Sequence, residues 1–173
     1  MRNLLSRLFS PPALQQQAHL AYVRVVEQSR APFLYTDCAV PDTLDGRFDA
    51  IILHLWLVMH RLKDEASDDA LRFQQFLQET FFTDMDRSIR ELGSTDTGVG
   101  KRIKNMAQAF FGRLAAYDAA VDDSTALKQA LIRNLYRETS PQDAALDTLM
   151  AYIRREQQRL AKCTADEILS AKF

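Results

Sequence analysis

Three histidines, two cysteines and twenty-three acidic residues are the groups in this chain that could ligate a metal or move a proton. A carboxylate-bridged dimetal site in a helical bundle needs Glu-x-x-His pairs aimed inward. No glutamate here is followed by histidine at the third position, and His19, His54 and His60 offer no i, i+4 pair for zinc. His54 falls in the run Ile51-Ile-Leu-His-Leu-Trp-Leu-Val-Met59, where a hydrogen-bonded core histidine is the expected state. Gly98-Val-Gly-Lys101 ends like a phosphate loop, but Thr95 and Arg102 stand where that loop needs glycine and serine or threonine, and no strand precedes it. There is no Gly-x-Ser-x-Gly elbow. Asp84 and Asp86, two apart on a helix, point in different directions. Cys38 and Cys163 form no C-x-x-C motif and read as reduced, buried thiols. The expectation is a protein that catalyses nothing and carries no metal or cofactor.

Charge is more informative locally than in total. The formal net charge of −1 gives no bias toward nucleic acid, and no nucleic-acid partner is expected. Yet no acid occurs from Thr97 to Tyr117, where Lys101, Arg102, Lys104 and Arg113 are basic. The preceding segment, Asp64 to Asp96, carries nine acids against three arginines. One reading pairs these charges across a helical hairpin and keeps it in register. The other makes the basic stretch a patch for an acidic partner or for membrane headgroups.

The elements that would position these groups are helical. At 173 residues the chain fits a single domain, and 47% hydrophobic and 26% charged residues are ordinary for a globular protein. Five glycines and five prolines are too few to punctuate an all-β fold. An arm over residues 1–11 ends at Pro11-Pro12, and Ser6 and Arg7 break its apolar run, so it fails as a signal peptide. Residues 12–173 are expected to form one helical domain of about six to seven helices. The spacing predicts helices near 12–30, 45–64, 68–92, 98–120, 124–138 and 141–163, with a short C-terminal helix opened by the capping box Thr164-x-x-Glu167. Asp42 or Asp45 is the expected cap of the second helix, Thr95 or Thr97 of the fourth, and Ser140 with Pro141 of the sixth. Gly93 is a stop, and Gly112 a place where a neighbouring helix could come close. Phe33 to Gly46 reads as a long ordered loop between the first two helices, suited either to pinning a crossover or to recognition. The longest apolar stretch, ten residues from Ala50 to Met59, is about half of what a bilayer-spanning helix requires. The chain therefore reads as soluble and cytoplasmic.

Three blocks of sequence, in order, carry a resemblance. Tyr35-Thr-Asp37 with Val40-Pro-Asp-Thr-Leu-Asp-Gly-Arg-Phe-Asp49 and Leu53-His-Leu-Trp-Leu-Val58 is similar to the signature block of the ubiquinol–cytochrome c chaperone family. Phe81-Phe-Thr-Asp-Met-Asp-Arg-Ser-Ile-Arg-Glu-Leu-Gly93 resembles the family's next helix, and Gly98-Val-Gly-Lys-Arg-Ile-Lys-Asn-Met-Ala-Gln-Ala-Phe-Phe-Gly-Arg113 the one after it. The linker Ser94-Thr-Asp-Thr97 departs from the more apolar or glycine-bearing segment that the family pattern implies. The resemblance implies a bacterial-type, all-helical assembly chaperone for the bc1 complex that binds newly made cytochrome b. A small helical partner or a second copy, and peripheral contact with the inner membrane, are further implied associations. Candidate client-binding residues are Tyr35, Asp37, Asp42, Asp45 and Arg47 on the loop, the aromatics Trp56, Phe81, Phe82, Phe110 and Phe111, and the cations Lys101, Arg102 and Lys104. The alternative is a bundle that holds a haem or an apolar small ligand, with His54 as the axial ligand.

Overall fold

The computed structural model describes residues 11–91, 93, 96–137 and 139–173, with the side chains of Pro11, Asp96 and Thr97 excepted. Residues 1–10 of the N-terminal arm, the Ser94–Thr95 part of the linker and the proposed Thr95 and Thr97 caps therefore lie outside the described residues and side chains, while Pro11 already belongs to the first helix. Every regular element among the described residues is helical: α1 (Pro11–Ser29), α2 (Pro32–Thr36), α3 (Leu44–Arg61), α4 (Asp68–Glu91), α5 (Asp96–Ala120), α6 (Ser124–Leu131), α7 (Asp143–Lys162) and α8 (Ala165–Leu169). A π-helical turn, Ile132–Tyr136, continues α6. No helix among the described residues is long and apolar enough to cross a membrane.

The chain gathers into two compact units. The first holds the described residues of Met1–Arg24, Leu62–Ala109 and Cys163–Phe173. In it α4 buries the stripe Ala70, Phe73, Leu77, Phe81, Met85 and Ile89, which recurs every three or four residues as one helix face must. Tyr22 meets Phe81 edge-on with ring centroids 6.4 Å apart, and its hydroxyl donates to Asp84 over 2.7 Å. The helix α8 opens on the expected capping box: Thr164 Oγ1 accepts the Glu167 amide and the Glu167 carboxylate accepts the Thr164 amide.

The second unit comprises Val25–Arg61 and Phe110–Lys162. Its centre is α3, buried from Phe48 through Val58, as a helix apolar on all sides must be. It packs against α7, whose inward face is Leu146, Leu149, Met150, Tyr152, Ile153 and Leu160, and against the π-helical turn.

Several boundaries differ from the sequence expectation for local reasons. Pro32 does not simply end α1; it stands at the first position of α2, where its missing N–H is no loss. The expected long loop is thus broken by a five-residue helix, and only Asp37–Thr43 is irregular. The cap of α3 is Thr43, not Asp42 or Asp45: its Oγ1 accepts the Gly46 amide at 3.0 Å. The helix α7 begins at Asp143, two residues beyond the expected Pro141 start. Asp123 caps α6 by accepting the amides of Thr125 and Ala126. Gly112 faces open space: a Cβ there would meet nothing within 4 Å among the described residues.

Candidate functional site

The segment from Tyr35 to Arg47 is tied down at almost every residue. The amides of Asp37 and Cys38 both donate to the Phe33 carbonyl, which ends α2, and the Val40 amide reaches back to Leu34. Ala39 adopts a left-handed conformation, φ +52°, which disfavours a residue with a Cβ. The Thr43 amide donates to Pro41 and the Arg47 amide to Thr43, each over 2.9 Å. Gly46 is demanded by space: a Cβ there would lie 1.9 Å from the Pro41 carbonyl oxygen. On the outer side Arg47 Nε donates to Asp42 over 2.7 Å, which lowers the Asp42 carboxyl. Tyr35 donates its hydroxyl to the Ser29 carbonyl, and burial raises its phenol against the pull of Arg47. Burial pushes the Cys38 thiol up to about 11, so it is no nucleophile near neutral pH.

Beneath this turn sits an ion cluster that sequence reasoning missed. Asp49, 0% exposed, receives Arg137 through Nε at 2.6 Å and Nη2 at 3.1 Å, and Arg113 Nε at 2.8 Å. Arg137 also reaches Asp45, one helical turn earlier on α3. Burial raises the Asp49 carboxyl while the hydrogen bond from Arg137 and the Arg113 charge lower it. The π-helical turn delivers the partner: Arg137 follows it with φ +52° and ψ −105°, a conformation that costs about 1–3 kcal/mol and persists only where contacts fix it. In the same turn Tyr136 donates to the Cys38 carbonyl over 2.6 Å, fastening the loop from inside. The signal for Asp49 was present in the sequence, since an acid at the head of an otherwise apolar helix must be paired. Nothing in the sequence says which cation pairs with it.

The other candidates separate by burial. Trp56, Phe81 and Phe110 belong to the core and do not line a groove: each is at most 1% exposed. The Trp56 indole donates to Asp118 at 2.8 Å and packs on Tyr117. Phe82 is half-buried against Phe81, whereas Phe111 is exposed beside Phe110. Lys101, Arg102 and Lys104 are exposed and make no ion pair among the described residues, so the pairing with α4 acids is not seen there. On α4, Asp84 accepts from Tyr22 and Asp86 from Arg90. The helix α5 starts at Asp96, which places the three cations beyond its first turn, where the dipole acts weakly on them.

His54 is fully engaged. The Ala50 carbonyl can only accept, so Nδ1 carries the proton and donates to it over 2.7 Å, and Nε2 accepts from the Tyr152 hydroxyl at 2.7 Å. Neither nitrogen is left to ligate a haem iron, so His54 is not placed as an axial ligand. No group of three metal-ligating side chains occurs among the described residues. Burial holds the His54 pKa below its usual 6.5, opposed by the Ala50 bond and the Glu156 charge. A depressed histidine binds its proton more readily unfolded, so its contribution is complete above about pH 6.5 and is lost as pH falls. Unfolding free energy followed by Trp56 fluorescence is expected to decline from about pH 7 to about pH 5. The decline should be shallower in His54→Gln; an unchanged slope would show that His54 does not titrate on unfolding.

Comparison with known proteins places this architecture. A family model, Ubiquinol-cytochrome C chaperone, matches residues 36–173. The ubiquinol-cytochrome-c reductase complex assembly factor 1 of Xenopus laevis is 24% identical over 149 residues, 86% of this chain and 74% of that protein. The mitochondrial protein CBP3 of Saccharomyces cerevisiae is 26% identical over 83% of this chain and 44% of its own length, and the human assembly factor 1 is 23% identical over 86% and 50%. This chain thus spans half or less of the human and yeast relatives. The crystal structure of the Cbp3 homolog from Brucella abortus superposes with a TM-score of 0.81 at 32% identity, covering 98% of this chain and 95% of that one. With the turn from Thr36 onward, the central α3 and the helices after it inside the matched region, the chain belongs to the ubiquinol–cytochrome c chaperone family.

Proposed function

We propose that this protein is an assembly chaperone for ubiquinol–cytochrome c reductase, and that it holds newly made cytochrome b until the subunit's partners and haems are in place. The observation that carries the reading is the family match across residues 36–173, supported by likeness over nearly the whole chain to a Cbp3 homolog. Such work needs no chemical step. It needs a rigid surface with apolar anchors and a polar rim, and an affinity low enough for release. The turn from Tyr35 to Arg47 supplies a fixed backbone with exposed Asp37, Asp42 and Arg47 at its edge. Lys101, Arg102 and Lys104 form a second contact, toward acidic loops of the client or headgroups of the membrane that receives it. The chaperone then works from the cytoplasm and touches the membrane only peripherally, alone, with a small helical partner or as a pair of copies.

The test is a crosslinked pull-down from native membranes and cytosol in gentle detergent, with this protein as bait and cytochrome b as the readout. Arg47→Glu sets two carboxylates side by side on the rim and is expected to cut recovery about tenfold with folding intact. Undiminished recovery would remove the Asp42–Arg47 pair from the interface. Failure of the unaltered protein to recover cytochrome b would remove that client.

A further inference from the structure

We infer that Tyr136 and Arg137 are positioning residues for client capture: from one π-helical corner they hold both ends of the turn that meets the client. The inference rests on the client-holding reading and adds to it the groups that set the shape of the binding surface. Tyr136 is buried and donates its hydroxyl to the Cys38 carbonyl over 2.6 Å. Arg137, the next residue, reaches Asp45 and takes Asp49 through Nε and Nη2. Between Cys38 and Asp45 lies the irregular stretch that presents Asp42 to Arg47. Consecutive side chains on a regular α-helix diverge by about 100° and do not address one segment together. Here they do, because the chain leaves Ile132–Tyr136 as a π-helical turn and Arg137 takes φ +52° and ψ −105°. Single π-helical turns are rare and collect at functional sites.

The hydroxyl acts on one particular peptide. The Cys38 carbonyl belongs to the unit that joins Cys38 to Ala39, and Ala39 has a left-handed φ of +52°. For a residue with a Cβ that conformation is disfavoured and must be held from outside. A donor fixed on the carbonyl oxygen sets the plane of this peptide, and so the direction in which Val40 to Thr43 leave it. With the donor gone the peptide can turn over, Ala39 relaxes toward negative φ, and the Val40 amide leaves the Leu34 carbonyl. Thr43 and Asp42 then no longer stand where the cap of α3 and the Arg47 pair require them. At the far end Arg137 keeps the first turns of α3 in place through Asp45 and Asp49. Burial pushes the Tyr136 phenol up, so it remains a donor at physiological pH.

The experiment measures amide hydrogen exchange in the full chain, residue by residue, together with cytochrome b recovery in the crosslinked pull-down. Tyr136→Phe keeps the ring and removes only the donor. Exchange at the Val40, Thr43, Gly46 and Arg47 amides is expected to quicken about fivefold, the effect of losing one net hydrogen bond. Capture is expected to fall about two- to fivefold as the competent turn is depopulated. Adding Ala39→Gly should restore both, because glycine adopts positive φ without a steric cost. Arg137→Lys keeps the charge but cannot fork to two carboxylates, and should quicken exchange at Gly46 and Arg47. Tyr152→Phe is the control: it removes a buried hydroxyl bond to His54 from the same unit and should leave the turn amides and capture as they are. Unchanged turn exchange in Tyr136→Phe, no recovery with Ala39→Gly, or equal effects of Tyr136→Phe and Tyr152→Phe would overturn the inference. Faster exchange with undiminished capture would overturn it too, since the shape of the turn would then not matter to the client. If the unaltered protein recovers no cytochrome b, the client assignment fails, and the exchange data still decide what positions the turn.

Discussion

Alanine at position 46 is expected to lower stability by more than about 3 kcal/mol, or about 10 °C in thermal midpoint, although it adds a single methyl group to a helix. Alanine is normally the better helix former by about 1 kcal/mol. Here the added carbon would sit 1.9 Å from the Pro41 oxygen and 2.9 Å from its carbonyl carbon, both backbone atoms that no rotamer change can move. That oxygen also accepts the Thr43 amide, so relief must break the turn that caps α3. Gly112→Ala is the internal control: its Cβ would meet nothing within 4 Å, so propensity alone acts and the variant should be slightly more stable. Trp56, the sole tryptophan, is buried in the same unit as Gly46, which makes its fluorescence the direct readout. If the two glycine variants shift stability in the same direction, the close approach at Pro41 does not govern residue choice at position 46.

Asp49→Asn is expected to destabilise the second unit by about 3–5 kcal/mol, the range for removing one partner of a buried ion pair. The substitution keeps the shape and removes the charge. It takes the buried charge away from two guanidiniums; Arg137 keeps Asp45, while Arg113 is the more buried of the two, with its side chain 12% exposed. Arg137→Met should cost less, because Arg113 still neutralises Asp49 and Arg137 is itself a third exposed. It should also loosen the chain after the π-helical turn, since the positive φ at Arg137 is held by its bonds to Asp49 and Asp45. The ordering is the informative part. An Asp49→Asn variant within about 1 kcal/mol of the parent would mean that the cluster fixes geometry without contributing to stability.

Much of the protein was legible in the sequence because helices are written locally. The run Phe73, Phe76, Leu77, Phe81, Met85, Ile89 and Leu92 pointed to a helix, and α4 buries five of them, Phe73, Leu77, Phe81, Met85 and Ile89; Thr164-x-x-Glu167 announced a capping box, because both signals depend on residues within one or two turns. The all-apolar run around His54 announced a central helix, and α3 is buried accordingly. The polar string Val40 to Asp49 carried the family resemblance, since capping and packing alone would not require it.

The tertiary structure decided what local rules cannot reach. Adjacent aromatics Phe110 and Phe111 are alike in sequence, yet one is core and the other exposed, because only the packed helices define which side is inside. Asp45 and Asp49 stand one turn apart on α3 and look equivalent, but Arg137, 88 residues beyond Asp49, makes one of them the buried centre of an ion cluster. Gly46 and Gly112 are both helical glycines; a carbonyl folded back from Pro41 makes the first indispensable and leaves the second free. Leu44 lies in the segment suited either to pinning a crossover or to recognition, and the fold leaves its side chain exposed. The sequence by itself determined the long helices and the lineage, whose signals lie within a few turns of chain, but not the short α2 or the π-helical turn. Which groups are paired, enclosed or displayed was settled only when distant segments met, because burial and charge neutralisation are properties of neighbours in space.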